Sequence, residues 1–209
     1  MKALILSVFA FAFAMSSITF AGETPKGFED AKLLGRVMNG EIVFTPIKDT
    51  AIEFRGYVRS FFNKVSTDAY IDLATNHARY PELFNEIKDV KSIGSNAAKT
   101  EFDYRATLMV SVGPFTQPVY PQLHQIIARA TETLGEAHLA QTITNYADMI
   151  AKSLHKTRLI PYEGGILVED EVSFTLAKSV LGAGTVKNKL KEFFNRYSKV
   201  FRKALSGDY

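Results

Sequence analysis

The residues whose chemistry could support catalysis or metal binding are four isolated histidines and a few acidic groups. His77, His124, His138 and His155 lie far apart, and none has a second histidine three or four positions away. The chain contains no cysteine. Metal ligands usually show such spacings in a sequence, so we predict no metal site and no cofactor.

A glycine-rich segment, Gly182-Ala183-Gly184, has part of the spacing of a phosphate-binding loop. Lys187 stands where the third glycine of a dinucleotide fingerprint would be, and no strand–helix–strand unit surrounds it. The G-x-S-x-G signal of a covalent hydrolase is also missing. We interpret the segment as a flexible turn that lets the last helix dock.

Three polar residues, His124, His155 and Asp170, are predicted to lie on a sheet face that is mostly apolar. An imidazole or a carboxylate on a buried face is costly unless it is paired. One interpretation is that these groups orient the polar end of a ligand, or act as acid or base. The other is structural. Either the strand alternation is displaced by one residue, so that Asp170 faces water, or a histidine and the aspartate pair in the core.

The clearest element that could position these residues is a helix over residues 186–205. Its apolar residues recur every three or four positions and share one helix face, while the opposite face is basic. So wide an aromatic stripe requires a large apolar partner. The basic face is either solvated surface or a docking face for anionic membrane headgroups. Its residues are Lys187, Lys191, Arg196, Lys199, Arg202 and Lys203.

The partner of this helix is predicted to be a curved antiparallel sheet of seven strands. Strict alternation over residues 51–64 indicates the first main strand. Two short helices follow, at residues 66–74 and 77–84. Six further strands begin near residues 87, 99, 122, 137, 154 and 166. A sheet curled around the helix would bury the apolar stripe and leave its other face to water.

The last two strands form the clearest hairpin, with Gly164-Gly165 predicted as its loop. In that register Arg158 faces Glu171, and Ile160 faces Glu169, on the solvent side. His155 and Asp170 then lie on the opposite, mostly apolar side.

The N-terminus predicts export. Lys2 is followed by an apolar run and by small residues before a cleavage site after Ala21, which is typical of a signal peptide at residues 1–21 and a periplasmic protein. We expect an extension at residues 22–50, with a short helix at 28–38 and a strand-like stretch at 41–46, and one domain at 51–209. With 25 basic and 22 acidic residues, the chain lacks the basic excess of a nucleic-acid binder.

The element order and two motifs resemble the START-like (SRPBCC, Bet v 1-type) helix-grip superfamily, in an exported member of polyketide cyclase or lipid-transport type. Residues 76–90, with Tyr80-Pro81, resemble the segment after the first main strand of that family. Residues 164–171 resemble its late hairpin, and residues 186–205 its C-terminal helix. Departures are Asn76 for the usual Asp, Asn85 where Pro is common, and Ile166 for the usual Thr.

The resemblance implies an α+β helix-grip fold with a cavity for an apolar ligand between the sheet and the last helix. Members bind lipids, sterols, quinones or polyketides. The ligand-binding candidates are Phe102, Tyr104, Leu108, His124, Ile126, His155, Asp170, Phe194 and Tyr197. Three functions stay open: a carrier of a hydrophobic ligand, a cyclase- or aromatase-like enzyme using a polar cavity residue, and a non-enzymatic envelope interaction module.

Overall fold

A computed structural model of the chain describes residues 24–112, 115–129, 135–145, 150–177 and 183–206. The predicted signal peptide and Gly182 lie outside these residues. Within them the helices are α1 (Ala31–Met38), α2 (Thr67–Thr75), α3 (Tyr80–Leu83) and α4 (Ala183–Ser206). The strands are β1 (Val43–Asp49), β2 (Glu53–Asn63), β3 (Ile87–Ser95), β4 (Glu101–Val112), β5 (Phe115–Val119), β6 (Gln122–Arg129), β7 (Ala137–Asn145), β8 (Ile150–Tyr162) and β9 (Gly165–Leu176).

All nine described strands belong to one antiparallel sheet. Its order is β1-β2-β9-β8-β7-β6-β4-β3, and β5 pairs with β4 beyond the end of β6. The sheet curls around α4, which packs mainly on β2 and also on β9. The predicted α+β helix-grip architecture, a curved antiparallel sheet around a long C-terminal helix, is confirmed.

The concave face of the sheet forms the main core with α4. Phe62, Leu159 and Val168 are fully buried there, and Phe201 of α4 is fully buried against them. The alternation along β2, β8 and β9 delivers these side chains to one face, as the sequence predicts. The helices α2 and α3, which follow β2 and precede β3 in the chain, close one end of this core with Tyr70 and other aromatic residues.

The convex face is not left to water along its whole width, contrary to the expectation from the sequence. Phe28 and Val37 pack on Ile160 and Leu167 and bury them. Asp30 begins α1, because its carboxylate accepts hydrogen bonds from the amides of Lys32 and Leu33. Residues predicted for the solvent side of the hairpin, such as Ile160, are therefore buried under the N-terminal segment.

The described sheet has nine strands, two more than the seven predicted. β1, which was expected as a strand-like stretch, pairs along β2 as an edge strand of the sheet. β5 was missed because Pro118 and its neighbouring prolines suggested a break. Within the described residues β5 pairs only with β4, so the missing N–H of Pro118 is tolerated on its other side. β8 begins at Ile150, four residues before the predicted start near residue 154.

The hairpin between β8 and β9 has a different register from the predicted one. Arg158 pairs with Glu169, and Tyr162 pairs with Gly165. The two loop residues are Glu163 and Gly164, both with positive φ, which is the geometry of a type I′ turn. The displacement is two residues along the strand, so every side chain keeps the face that alternation predicts.

Gly165 is required by a close approach of strands rather than by the turn. A Cβ at this position would lie 2.2 Å from the carbonyl oxygen of Phe62 on β2. We expect Gly165→Ala to lower the free energy of unfolding by about 1–3 kcal/mol, because a backbone atom cannot move aside easily. Gly94→Ala is the matched control in β3, since nothing lies within 4 Å of its Cβ position. Denaturant unfolding of both variants tests the difference, and equal midpoints would contradict it.

Candidate functional site

The structure brings most of the predicted site residues to one place. Seven of them lie on the concave face or on the side of α4 that faces it: Phe102, Tyr104, Leu108, His155, Asp170, Phe194 and Tyr197. The other two lie on the opposite face of the sheet. Whether the seven bind a ligand stays a prediction.

His124 and Ile126 point outward from β6. Ile126 is 40% exposed, so its prediction as a core residue is wrong. His124 binds Asp103 on the convex face, with 2.8 Å between Nδ1 and Oδ1. The neighbouring Gln125 and Ile127 take the inward positions. Because β6 has apolar residues at both 126 and 127, its composition does not decide which face is buried.

Asp170 lies in the core and is fully satisfied by hydrogen bonds. Its Oδ1 accepts from Thr157 Oγ1 at 2.6 Å and lies 2.9 Å from Nε2 of His155. Its Oδ2 accepts from Ser198 Oγ of α4 at 3.3 Å. The side chain is 2% exposed, which excludes the alternative that it faces water. The structural alternative, a paired histidine and aspartate in the core, describes the observed geometry.

A second polar cluster on the same face was not found from the sequence. His77 Nε2 lies 2.7 Å from Oε1 of Gln125, and Gln125 donates to the carbonyl of Ala74. The His77 ring stacks on Tyr104 with 3.8 Å between centroids. Gln141 donates from Nε2 to the Tyr104 hydroxyl. Burial lowers the pKa of His77, which favours the neutral imidazole.

The two clusters form one row across three strands. His155 on β8 lies directly opposite Gln141 on β7, which lies opposite Gln125 on β6. Paired residues of neighbouring strands share a face, so the three side chains are adjacent on the concave surface. We call His155, Gln141 and Gln125, together with Asp170 on β9, the polar row. The polar residues Gln125 and Gln141 are visible in the sequence and could have indicated this cluster. The register of β6 and β7, which brings them together, could not be derived from the sequence.

One half of α4 closes against the sheet through aromatic packing. Tyr197 stacks on Phe201 at 4.2 Å, and Phe84 stacks on Tyr197 at 5.6 Å. Tyr70 packs on Phe201 at 5.3 Å. Burial raises the pKa of Tyr70 and of Tyr197, helped by the nearby carboxyl of Asp170, so both hydroxyls stay protonated. This half of the interface is a filled core.

The other half of the interface is less completely filled. Phe193 and Phe194 on α4 are only half-buried, and the Phe194 ring lies 5.2 Å from that of His155. Inward-pointing Leu108, Leu123 and Ile143 are also half-buried. Apolar side chains that point inward but keep part of their surface accessible mark the less tightly packed part of the interface between sheet and helix. This region, next to the polar row, is the candidate site.

Two pockets open elsewhere on the molecule. The larger, with a volume of 1440 Å³, lies beside the β8–β9 turn and the start of α2, between Lys64 and Gly135. The smaller, of 280 Å³, lies on the strands β3 and β4 next to Tyr120. Neither is lined by a residue of α4.

No cluster of three or more potential metal ligands occurs among the described residues. In the same part of the chain, no helix combines the length and the apolar character of a membrane span.

The basic face of α4 is largely engaged within the chain. Lys187 and Lys191 both bind the carboxylate of Asp49, at 2.6 and 2.7 Å, and lower its pKa through these hydrogen bonds. Arg196 pairs with Glu86. These contacts attach α4 to β1 and to the segment before β3, and they reduce the charge that the face offers to a membrane.

Comparison with known proteins identifies the fold. No family model matches the sequence, and no curated protein matches it significantly. Among solved structures, a STAR-related lipid transfer protein from Xanthomonas axonopodis is 14% identical, with 78% of this chain and 98% of that chain covered and a TM-score of 0.58. Human STARD10 is 8% identical, with 83% and 77% covered and a TM-score of 0.58.

A di-domain ARO/CYC protein, BexL from the BE-7585A biosynthetic pathway, is also similar. It is 9% identical, with 77% of this chain and 52% of that chain covered and a TM-score of 0.56. At identities this low, the structural similarity establishes a shared architecture and nothing further. Together with the sheet order, the concave core and the long C-terminal helix, they show that the chain has the START-like helix-grip fold.

Proposed function

We propose that this chain binds an apolar small molecule, a lipid or a similar compound, between the concave face and the N-terminal half of α4. The observation that carries the proposal is the set of half-buried, inward-pointing apolar side chains beside the polar row. Phe194 and Ile143 pack against the buried cluster around Phe54 and Phe174 and keep part of their apolar surface accessible. Covering that surface with a ligand is favourable by about 25 cal/mol per Å². The lipid-transfer proteins among the similar structures support this class of ligand.

The polar row supports binding more directly than catalysis. Asp170 already accepts hydrogen bonds from three side chains, so it has no strained or unpaired oxygen to act on a substrate. We therefore favour a carrier that releases its ligand unchanged.

One observation favours a second candidate, an enzyme of cyclase type. Asp170 lies against Nε2 of His155, which leaves Nδ1 as the ring nitrogen that would act as a base, the reverse of the arrangement in a Ser-His-Asp triad. The ARO/CYC protein among the similar structures agrees with this alternative.

Both candidates are tested with delipidated protein and the neutral fluorophore Nile red. We expect saturable binding with a blue-shifted emission, and displacement by long-chain lipids. Mass spectrometry of the recovered lipid then distinguishes the candidates, since a carrier returns it unchanged. The absence of saturable binding by any apolar probe would contradict the proposed function.

We also propose that the chain is exported to the periplasm and cleaved after Ala21, on the basis of the N-terminal sequence. N-terminal sequencing of the protein from a periplasmic extract should begin at Gly22. Ala21→Arg should accumulate as uncleaved precursor, because signal cleavage requires a small residue there. An intact Met1 terminus in a cytoplasmic fraction would contradict this prediction.

The membrane-docking role of the basic face stays a prediction. Ion pairs within the chain reduce the positive charge that this face can offer to anionic headgroups. Lys199 is exposed, but Lys187 and Lys191 already share a carboxylate. Binding to vesicles with and without anionic lipid, compared between the wild type and Lys199→Glu, tests it.

A further inference from the structure

A lysine of α4 lies at the boundary between the apolar cluster of the candidate site and solvent. The Lys191 ammonium is 5.1 Å from the centre of the Phe54 ring and 5.8 Å from that of Phe44. Phe54 belongs to the buried cluster against which Phe194 and Ile143 pack. Residues three apart on a helix are neighbours on its surface, so Lys191 places a positive charge beside the half-buried ring of Phe194.

Positive charge exceeds negative charge at this boundary. Lys187 and Lys191 share one carboxylate, that of Asp49, and their side chains are only 14% and 24% exposed. The other acidic side chains on β1, β2 and α4 are each paired with a different lysine: Glu53 with Lys48, and Glu192 with Lys189. Two ammonium groups therefore face one carboxylate, which leaves an excess of one positive charge on these three elements at this place.

The Lys191 ammonium also has hydrogen-bond donors that the described part of the chain does not use. An ammonium group carries three N–H donors. Lys187 donates both to Asp49 and to the carbonyl oxygen of Thr50. Lys191 donates only to Asp49, at 2.7 Å. Its remaining donors are available to an anion that reaches the boundary.

The carboxylate of the polar row does not supply the missing negative charge. Asp170 accepts a hydrogen bond from Ser198, which follows Lys191 by seven residues on α4. Seven residues correspond to about 10 Å of helix. Asp170 is also engaged by His155. An anion bound at Lys191 thus stays away from this carboxylate, while an attached chain extends along the half-buried apolar side chains of the candidate site.

We infer that the ligand of the candidate site is an amphiphile with one negative charge, whose head binds the ammonium of Lys191. This inference rests on the proposed function, because it names the ligand class of the same site. A long-chain carboxylate meets the requirement. Its single charge completes the pairing of the two lysines, its oxygens accept from the unused donors, and its alkyl chain covers the apolar surface beside Phe194. A cationic head would be repelled by both lysines.

Three dodecyl compounds that differ only in the head test the sign of the charge. Dodecanoate, dodecan-1-ol and dodecylammonium are compared at pH 7.5, below their critical micelle concentrations, by displacement of Nile red. We expect dodecanoate to bind at least about tenfold more tightly than dodecylammonium, with dodecan-1-ol between them, because the three chains bury the same apolar surface and differ in head charge.

Lys191→Met removes the charge and keeps an apolar side chain of similar length. We expect it to lower the affinity for dodecanoate about tenfold and to leave the affinity for dodecan-1-ol within about twofold. Lys189→Met is the matched control, because it removes the same charge from the same helix at a side chain that is 68% exposed and bound to Glu192. It should change neither affinity. Equal losses of dodecanoate affinity in the two variants would contradict the position of the head.

Asp49→Asn separates ligand binding from a purely structural role of the lysines. If Lys187 and Lys191 served only to attach α4 to β1, loss of their shared carboxylate would weaken the binding of dodecanoate and dodecan-1-ol alike. We expect instead that dodecanoate gains several-fold in affinity relative to dodecan-1-ol, because the competing carboxylate is gone. An unchanged ratio of the two affinities would overturn the inference.

The outcomes distinguish this inference from the proposed function. If dodecylammonium binds as tightly as dodecanoate, the anionic ligand is overturned, while the proposed binding function stands. If Nile red and all three dodecyl compounds fail to bind, the proposed function itself is contradicted, and this inference with it.

Discussion

Replacing Phe201 by alanine is expected to lower the free energy of unfolding by about 3–5 kcal/mol, as large-to-small changes in filled cores do. Phe201 is fully buried in the closed half of the α4 interface, between Tyr70 and Tyr197. The cavity left by its ring cannot be filled by water without unpaired hydrogen bonds, because its lining is mainly apolar. Urea denaturation followed by circular dichroism measures the loss.

Phe194→Ala is the matched control two turns earlier on the same helix. Its ring is half-buried and faces the candidate site. We expect this variant to lose about 1 kcal/mol of stability, since less apolar area returns to water, and to weaken Nile red binding about tenfold or more. Phe201→Ala, studied well below its unfolding midpoint, should retain binding. A reversed pattern would show that the N-terminal half of α4 is core and the C-terminal half is the site.

Asp170→Ala is expected to lower the free energy of unfolding by about 2–4 kcal/mol, because it leaves His155 and two buried hydroxyls without their acceptor. The measurement is denaturant unfolding at neutral pH.

The convex face provides a control with the same chemistry. Asp103 and His124 pair at 2.8 Å, close to the 2.9 Å of Asp170 and His155, but the Asp103 side chain is 53% exposed. Asp103→Ala should cost less than about 1 kcal/mol, since solvent replaces the lost contact. Equal losses for the two variants would mean that the burial of Asp170 does not determine its contribution.

Much of the architecture could be predicted because periodicity is a local property. The apolar stripe of residues 186–205 identifies α4 and requires a sheet as its partner. Alternation in β8 and β9 placed His155 and Asp170 on the apolar face. That result survived the error in the hairpin register, because a displacement of two residues preserves the face.

What the sequence could not supply depends on contacts between distant segments. The composition of β6 does not show whether Ile126 or Ile127 is buried, so one half of the polar row was missed. The adjacency of Gln125 and Gln141 follows from strand register, which no local pattern determines. The burial of Ile160 depends on α1, more than a hundred residues earlier in the chain, packing on the convex face.

The location of the ligand is the central claim, and covalent labelling tests it most directly. A dodecan-1-ol analogue with a photoreactive diazirine at the far end of its chain is bound, irradiated and located by peptide mass spectrometry. We predict labels on α4 around Phe193 and Phe194 and on the facing strands β6 and β7, competed by unlabelled dodecan-1-ol. Labels confined to the groove between Lys64 and Gly135, with α4 unmodified, would contradict the account.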